Sequence, residues 1–249
     1  MNINERHCSD RSNEQKCLMR LNTALRGGPC YKIERCNGGL IDIIDMFKTV
    51  RTNPDQNKFP DFLFDGGIIE HFTVSSYETG ERKGNKFNIE KFNKEKEGEK
   101  YFNNQINMLN ESQQCFSGFG TIHHEIVYED GDYKWFISNI KRSTTHHINS
   151  LKKSNYRNGV VIFLIEQTDG RMCLYNDGLR CTFYTVSIDK KLLEWFKENA
   201  SCVDYIIFNC ADSFEIIDMR YIDRLISVAN DNLNVQKGRL HSHNIMPFI

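Results

Sequence analysis

A chain of 249 residues with 39% hydrophobic and 26% charged side chains can bury a large core without metal or disulfide staples, and it is too apolar for a disordered chain. A formal net charge of -1 excludes a surface coated throughout with phosphate-binding cations, so any contact with nucleic acid has to come from a local patch. No run of about eighteen apolar residues occurs, and the opening MNINERHCSDRSNEQK lacks a signal-peptide core, which predicts a cytoplasmic protein with no membrane partner.

Residues 1–28 are polar apart from Leu18, Leu21 and Leu25, whose spacing predicts a short helix ending at Arg26-Gly27-Gly28. After Gly38-Gly39, the recurrence of Ile41, Ile44 and Phe47 predicts a helix from Leu40 to Val50, with Asp42 and Asp45 on its more polar side. A loop over Arg51–Lys58 leads into a hairpin of Phe59–Phe64 and Ile68–Ser75, turning on Asp65-Gly66-Gly67. Residues 76–87 read as a polar loop, and residues 88–110 as a charged helix with Ile89, Phe92, Phe102, Ile106 and Leu109 on one face.

Three further Asp-Gly steps, at Asp130-Gly131, Asp169-Gly170 and Asp177-Gly178, offer the positive φ of tight hairpins. They predict Ile122–Glu129 paired with Tyr133–Ile140, and a meander of Val160–Gln167, Arg171–Tyr175 and Arg180–Ser187. Helices near Lys190–Asn199 and Arg220–Asn230 flank an apolar strand, Tyr205–Phe208. Strand runs followed by helices, without regular alternation, predict an α+β (α/β) fold with a mixed, largely antiparallel sheet flanked by helices.

One stretch carries chemistry. In the hairpin, a two-residue loop at Asp65-Gly66 pairs Phe64 with Gly67 and sets Asp61 opposite Glu70; a loop at Gly66-Gly67 makes the pair diagonal. Either register puts both acids on one face, with Cβ atoms about 4.5–5.5 Å apart if opposed and about 7–8 Å if diagonal. A three-residue loop would send them to opposite faces. Glu70 stands mid-strand among apolar neighbours, where Glu is disfavoured and a buried carboxylate needs a partner. A structural, hydrogen-bonded acid satisfies that need; so does a hard divalent cation shared with Asp61.

Pro60-Asp61, eight intervening residues, then Glu70-His71-Phe72 resembles the signature of the PD-(D/E)xK nuclease superfamily, the restriction-endonuclease-like fold. The resemblance spans Gly39 to Leu109 and implies a helix, a hairpin bearing both acids, and a second helix. It implies Asp61 and Glu70 as catalytic metal ligands, the His71 carbonyl as a further ligand, and an acid from the preceding helix, Asp45 or Asp42, with Glu34 a poorer match. The cofactor implied is Mg2+, with Mn2+ as the alternative. Phe72 stands where the motif has lysine. Lys83 and Lys86, in the loop after the hairpin, or Lys91 beyond it, are the candidates to replace it. Arg82, Lys83 and Lys86 are also the candidate nucleic-acid contacts.

The implied organisation is an N-terminal helical extension over 1–38, a nuclease-like core over 39–140, and a C-terminal α/β portion over 141–249 packed on the same core. The implied activity is metal-dependent hydrolysis of phosphodiester bonds, with DNA as the expected substrate, in restriction or genome defence. The alternative is an inactive relative that binds nucleic acid or a protein partner, with a homo-oligomer also compatible. Adjacent histidines, His123-His124 and His146-His147, diverge on either a strand or a helix and read as structural or exposed.

The nine cysteines include no pair with the two-residue gap of a zinc knuckle or redox motif. An odd number in a chain without a signal peptide points to reduced, mostly buried thiols. Thiol titration of the denatured protein without reductant should therefore find nearly all nine free; recovery of two or more stable disulfides would contradict the cytoplasmic expectation.

Overall fold

The computed structural model describes residues 3–55, 59–76, 100, 104, 120–127, 131–154, 156, 159–168, 171–176, 180–210, 212–231, 233 and 238–245. Helix α1 (Ile3–Leu25) buries Cys17, Leu21 and Ala24, a stripe at helical spacing. It ends at Gly27, whose φ of 72° lets its N–H bond the Ala24 carbonyl while the Gly28 N–H reaches Thr23. The predicted helix covered only the apolar end of this element.

Strand β1 (Lys32–Cys36) and helix α2 (Leu40–Met46) follow. In α2 it is Ile43 that turns to the core, while Ile41 is 76% exposed. A short β2 (Arg51–Thr52) then pairs with β3 (Phe62–Phe64), and β3 with β4 (Gly67–Val74). The β3–β4 register pairs Phe64 with Gly67 and Phe62 with Ile69 around Asp65-Gly66, with Gly66 at φ 90°. A side chain at Gly67 would collide with the Val160 carbonyl and the Phe64 ring, so glycine is required where β4 begins.

These strands belong to a seven-stranded sheet of order β1-β10-β9-β6-β4-β3-β2, completed by β6 (Val160–Gln167), β9 (Tyr205–Cys210) and β10 (Ser213–Asp218). Its pairings are mixed: β4–β6, β6–β9 and β1–β10 run parallel, the others antiparallel. The central strands β6 and β9 read as continuous apolar runs because they are buried along nearly their whole length. On one face Ile69, Ile162, Leu164 and Ile207 pack against Cys17 and Leu21 of α1 and Ile43 of α2. On the other, Phe72 and Phe163 meet His147 of helix α3 (Gly131–Lys153).

A second, antiparallel sheet has the order β5-β11-β7-β8, from β5 (Gly120–Val127), β11 (Gly238–Ile245), β7 (Arg171–Asn176) and β8 (Arg180–Phe183). With both sheets counted, antiparallel pairings predominate, and the fold is α+β as expected.

Two predicted pairings are corrected. Residues 133–140, expected to pair with 122–129, lie in α3, where Phe136, Ile140, Thr144, Ile148 and Leu151 form one buried helical stripe. Strand β5 pairs with the distant β11 instead. The expected three-strand meander is reduced to β7–β8, because the apolar β6 is claimed by its parallel neighbours in the larger sheet. The expected helix over 88–110 lies outside the described residues, save Lys100 and Asn104.

Helix α4 (Lys190–Asn199) matches its predicted bounds; Asp189 caps it by accepting from the Leu192 N–H at 3.1 Å. Helix α5 (Ile222–Val228) is shorter than expected and follows a 3-10 turn at Met219–Tyr221. No described helix is long and apolar enough to cross a membrane.

Contacts divide the chain into two interleaved units, Met1–Ser75 with Ile137–Asp169 and Thr185–Leu233, and Ser76–Phe136 with Gly170–Tyr184 and Asn234–Ile249. The seven-stranded sheet lies in the first and the four-stranded sheet in the second. The orientation of α2 makes a paired prediction. Ile43→Ala should cost about 2–5 kcal/mol in denaturant unfolding, whereas Ile41→Ala should stay within about 0.5 kcal/mol; equal losses would contradict the observed helix face.

Candidate acidic site

The hairpin register decides which side chains meet. With Phe62 opposite Ile69, the next pair outward is Asp61 and Glu70, on the face opposite to α1 and α2. Asn53 fixes the chain entering β3: its N–H bonds the Asp61 carbonyl at 3.0 Å, and its Nδ2 donates to the Pro60 carbonyl at 2.7 Å. Asp61 Oδ2 in turn accepts the His71 backbone N–H at 2.7 Å.

Glu70 is only 6% exposed. Its Oε1 lies 2.7 Å from His147 Nδ1, while its Oε2 is buried with no hydrogen-bond partner among the described residues. Burial, then the neighbouring Glu70 charge, push Asp61 up to about 6. Burial, opposed by the Asp61 backbone and helped by Glu14 of α1, pushes Glu70 up to about 7. The two carboxyls titrate as a pair: the Glu70 charge raises Asp61, while hydrogen bonds from Asp61 temper the rise that burial gives Glu70. Burial pulls His147 down, so its imidazole leans towards the neutral form.

His71 behaves as strand alternation requires, with its side chain on the opposite face from Glu70. There its Nε2 lies 3.1 Å from Glu166 Oε2, and Arg20 of α1 donates to Glu166 Oε1. Burial would lower His71, but Cys17 and Glu166 outweigh it and raise it to about 10. Glu166 would likewise rise on burial; His71 and Arg20 instead hold it below its ordinary range. Donor atoms of Cys17, His71 and Glu166 all lie within 4.8 Å of one another, a spacing a metal ion can use. The Arg20 guanidinium already neutralises Glu166, however, and a proton-holding imidazole beside it disfavours a further cation. This trio serves to fasten α1 to the sheet.

The other expected site residues are dispersed. Asp45 is exposed and accepts from Lys48 Nζ at 2.6 Å; Asp42 faces Arg220 and the Tyr205 hydroxyl, each at 3.4 Å. Glu34 lies on β1, at the far edge of the seven-stranded sheet from the hairpin. The helix acid whose charge acts on Glu70 is Glu14 of α1, from the segment expected to be an extension. Arg82, Lys83, Lys86 and Lys91 lie outside the described residues.

His147 was not foreseen at this site. Its signal was present once residues 131–153 are taken as a helix: it falls beside Thr144, Ile148 and Leu151 on the buried stripe, where a titratable side chain is out of place. Compared with family models, curated proteins and solved structures, the chain matches none.

The shifts fix the sign of a pH effect. Asp61 and Glu70, at about 6 and about 7 in the fold, lie above the ordinary carboxylate range near pH 4. The folded state therefore holds more protons than the unfolded chain in this window, and their contribution to stability is complete below about pH 4 and lost as pH rises through about 6–7. The His71 contribution is complete below about pH 6.5 and lost only as pH rises through about 10. In chelator-containing buffer the melting temperature should fall between about pH 5 and 8, and Glu70→Gln should flatten that fall. An unchanged slope in the variant would show that Glu70 is not strained by its surroundings.

Proposed function

We propose that this chain is a divalent-cation-dependent nuclease, with Asp61 and Glu70 holding Mg2+ or Mn2+ and DNA as the substrate. The observation that carries the reading is Glu70 Oε2, a buried carboxylate oxygen without a hydrogen-bond partner among the described residues, set beside a second carboxyl that resists ionisation. Burying such groups unpaired is costly, and a hard divalent cation relieves both the lost hydration and the mutual repulsion. The resemblance of Pro60-Asp61 and Glu70-His71-Phe72 to the PD-(D/E)xK motif gives that cation a chemistry. When bound, it would polarise a phosphoryl oxygen and lower the pKa of an attacking water.

The chain's own residues have distinct parts in this reading. The His71 N–H orients Asp61, and Asn53 holds the strand that carries it. Glu14 adds negative charge from α1. The basic segment with Arg82, Lys83 and Lys86, outside the described residues, is the proposed contact to the phosphate backbone, and one of its lysines the proposed stand-in for the motif's lysine.

A second reading has its own observation. Phe72 occupies the place of the motif lysine and is stacked on His147, with ring centroids 4.3 Å apart. A nuclease fold that binds nucleic acid or a protein partner without cleaving it would have that feature.

Melting and cleavage together separate the readings. Saturating Mg2+ or Mn2+ at about a hundredfold excess over Kd should stabilise the wild type by about 2.7 kcal/mol, or about 5–10 °C for a domain of this size. Glu70→Gln and Asp61→Asn should lose that shift. Plasmid, linear and single-stranded DNA should be cut by the wild type only with the cation, and not by either variant. A cation shift without cleavage favours the binding-only reading. No shift in the wild type removes the cation site and the nuclease with it.

A further inference from the structure

We propose that His147 is the positioning residue of this acidic site: its Nδ1–H holds Glu70 Oε1 and thereby presents Oε2 to the cation. The inference rests on the cation-site reading above and adds a residue outside the hairpin motif.

The two oxygens of Glu70 are unequal: one lies 2.7 Å from the imidazole, and the other is buried with no hydrogen-bond partner among the described residues. Once a cation holds Glu70 ionised, the carboxylate only accepts, so the bond would require the proton on Nδ1 and a neutral ring would keep Nε2 as an acceptor. The ring cannot easily turn away. It lies nearly parallel to Phe72, 7° between planes at 4.3 Å, and meets Phe163 at 75° and 6.5 Å.

Phe72 follows Glu70 by two residues, so strand alternation puts both on one face, and the aromatic ring forms a platform beside the carboxylate. His147 arrives on α3, whose neighbouring Thr144, Ile148 and Leu151 are buried and anchor the helix turn that carries it. A carboxylate held at one oxygen by a donor that packing has oriented is restricted in rotation, and the free oxygen is aimed. Partners that orient metal ligands in this way typically govern affinity by about 10–100-fold.

Two variants divide the functions of the ring. His147→Phe keeps an aromatic on Phe72 but removes the donor; His147→Asn removes the stack but offers an N–H near the position of Nδ1. Apparent affinity for Mn2+ alone, and for Mg2+ alone, is read by thermal-shift titration of the full chain. The expected result is about tenfold or greater weakening in His147→Phe, with affinity in His147→Asn kept much closer to that of the wild type. Wild-type affinity in His147→Phe, or equal weakening in both variants, would overturn the proposal.

Nitrogen-15 NMR of the histidine rings needs no His147 variant in its reading. With saturating Mg2+, His147 should show the Nδ1–H tautomer; a ring without a proton on Nδ1 would overturn the assignment even if a variant failed to fold. A wild type that gives no cation response at all overturns the cation site itself, and this inference with it, whereas a wild-type response shared by His147→Phe overturns this inference alone.

Discussion

The register of one tight turn sets the chemistry of this protein. Because Asp65-Gly66 forms a two-residue loop, Phe64 pairs with Gly67, and every residue of β3 and β4 is assigned to a face. Phe62 and Ile69 go to the core beneath α1 and α2; Asp61, Glu70 and Phe72 go to the face that meets α3. A slip of one residue would exchange the two sets, bringing Glu70 into the apolar layer and Ile69 out of it. The close approach of Gly67 to Val160 protects this register, since only glycine fits where β4 enters its parallel pairing with β6.

Consecutive residues of β4 therefore serve two different polar systems. The His71 side has its charges matched: Arg20 and the imidazole flank Glu166, and the Arg20–Glu166 pair ties α1 to the sheet. The Glu70 side is less well matched, with a buried Glu70 carboxyl, a half-buried Asp61 carboxyl and the nearby charge of Glu14 facing one imidazole, that of His147, at 2.7 Å. A fold stabilised for its own sake would neutralise such a cluster, because unpaired buried acids cost stability. Among the described residues, such a mismatch on one face beside a matched network on the other is the observation that supports the proposed cation site.

Helix α1 joins these systems. Cys17 and Leu21 belong to the core, Arg20 neutralises Glu166, and the Glu14 charge bears on Glu70. The same helix thus takes part in burial, in the matched network and in the mismatched one.

What the sequence determined by itself is local. The Asp-Gly turn, the alternation that separates Glu70 from His71, the capped helix at Lys190–Asn199 and the apolar run of β6 are each written within a few residues, because turn chemistry and side-chain period are short-range properties. Tertiary structure decided what those pieces meet. The Asp-Gly step before residue 131 read as a hairpin, yet the buried stripe from Phe136 to Leu151 makes a helix, and with that error the arrival of His147 was hidden. Glu70 and His147 are 77 positions apart, and His71 and Glu166 are 95 apart. Their meeting depends on the parallel placement of β4 beside β6 and on helices covering each face, and neither is encoded in any short window. Two acids on one strand pair were legible; the histidine that holds one and the helix acid that crowds it were products of packing.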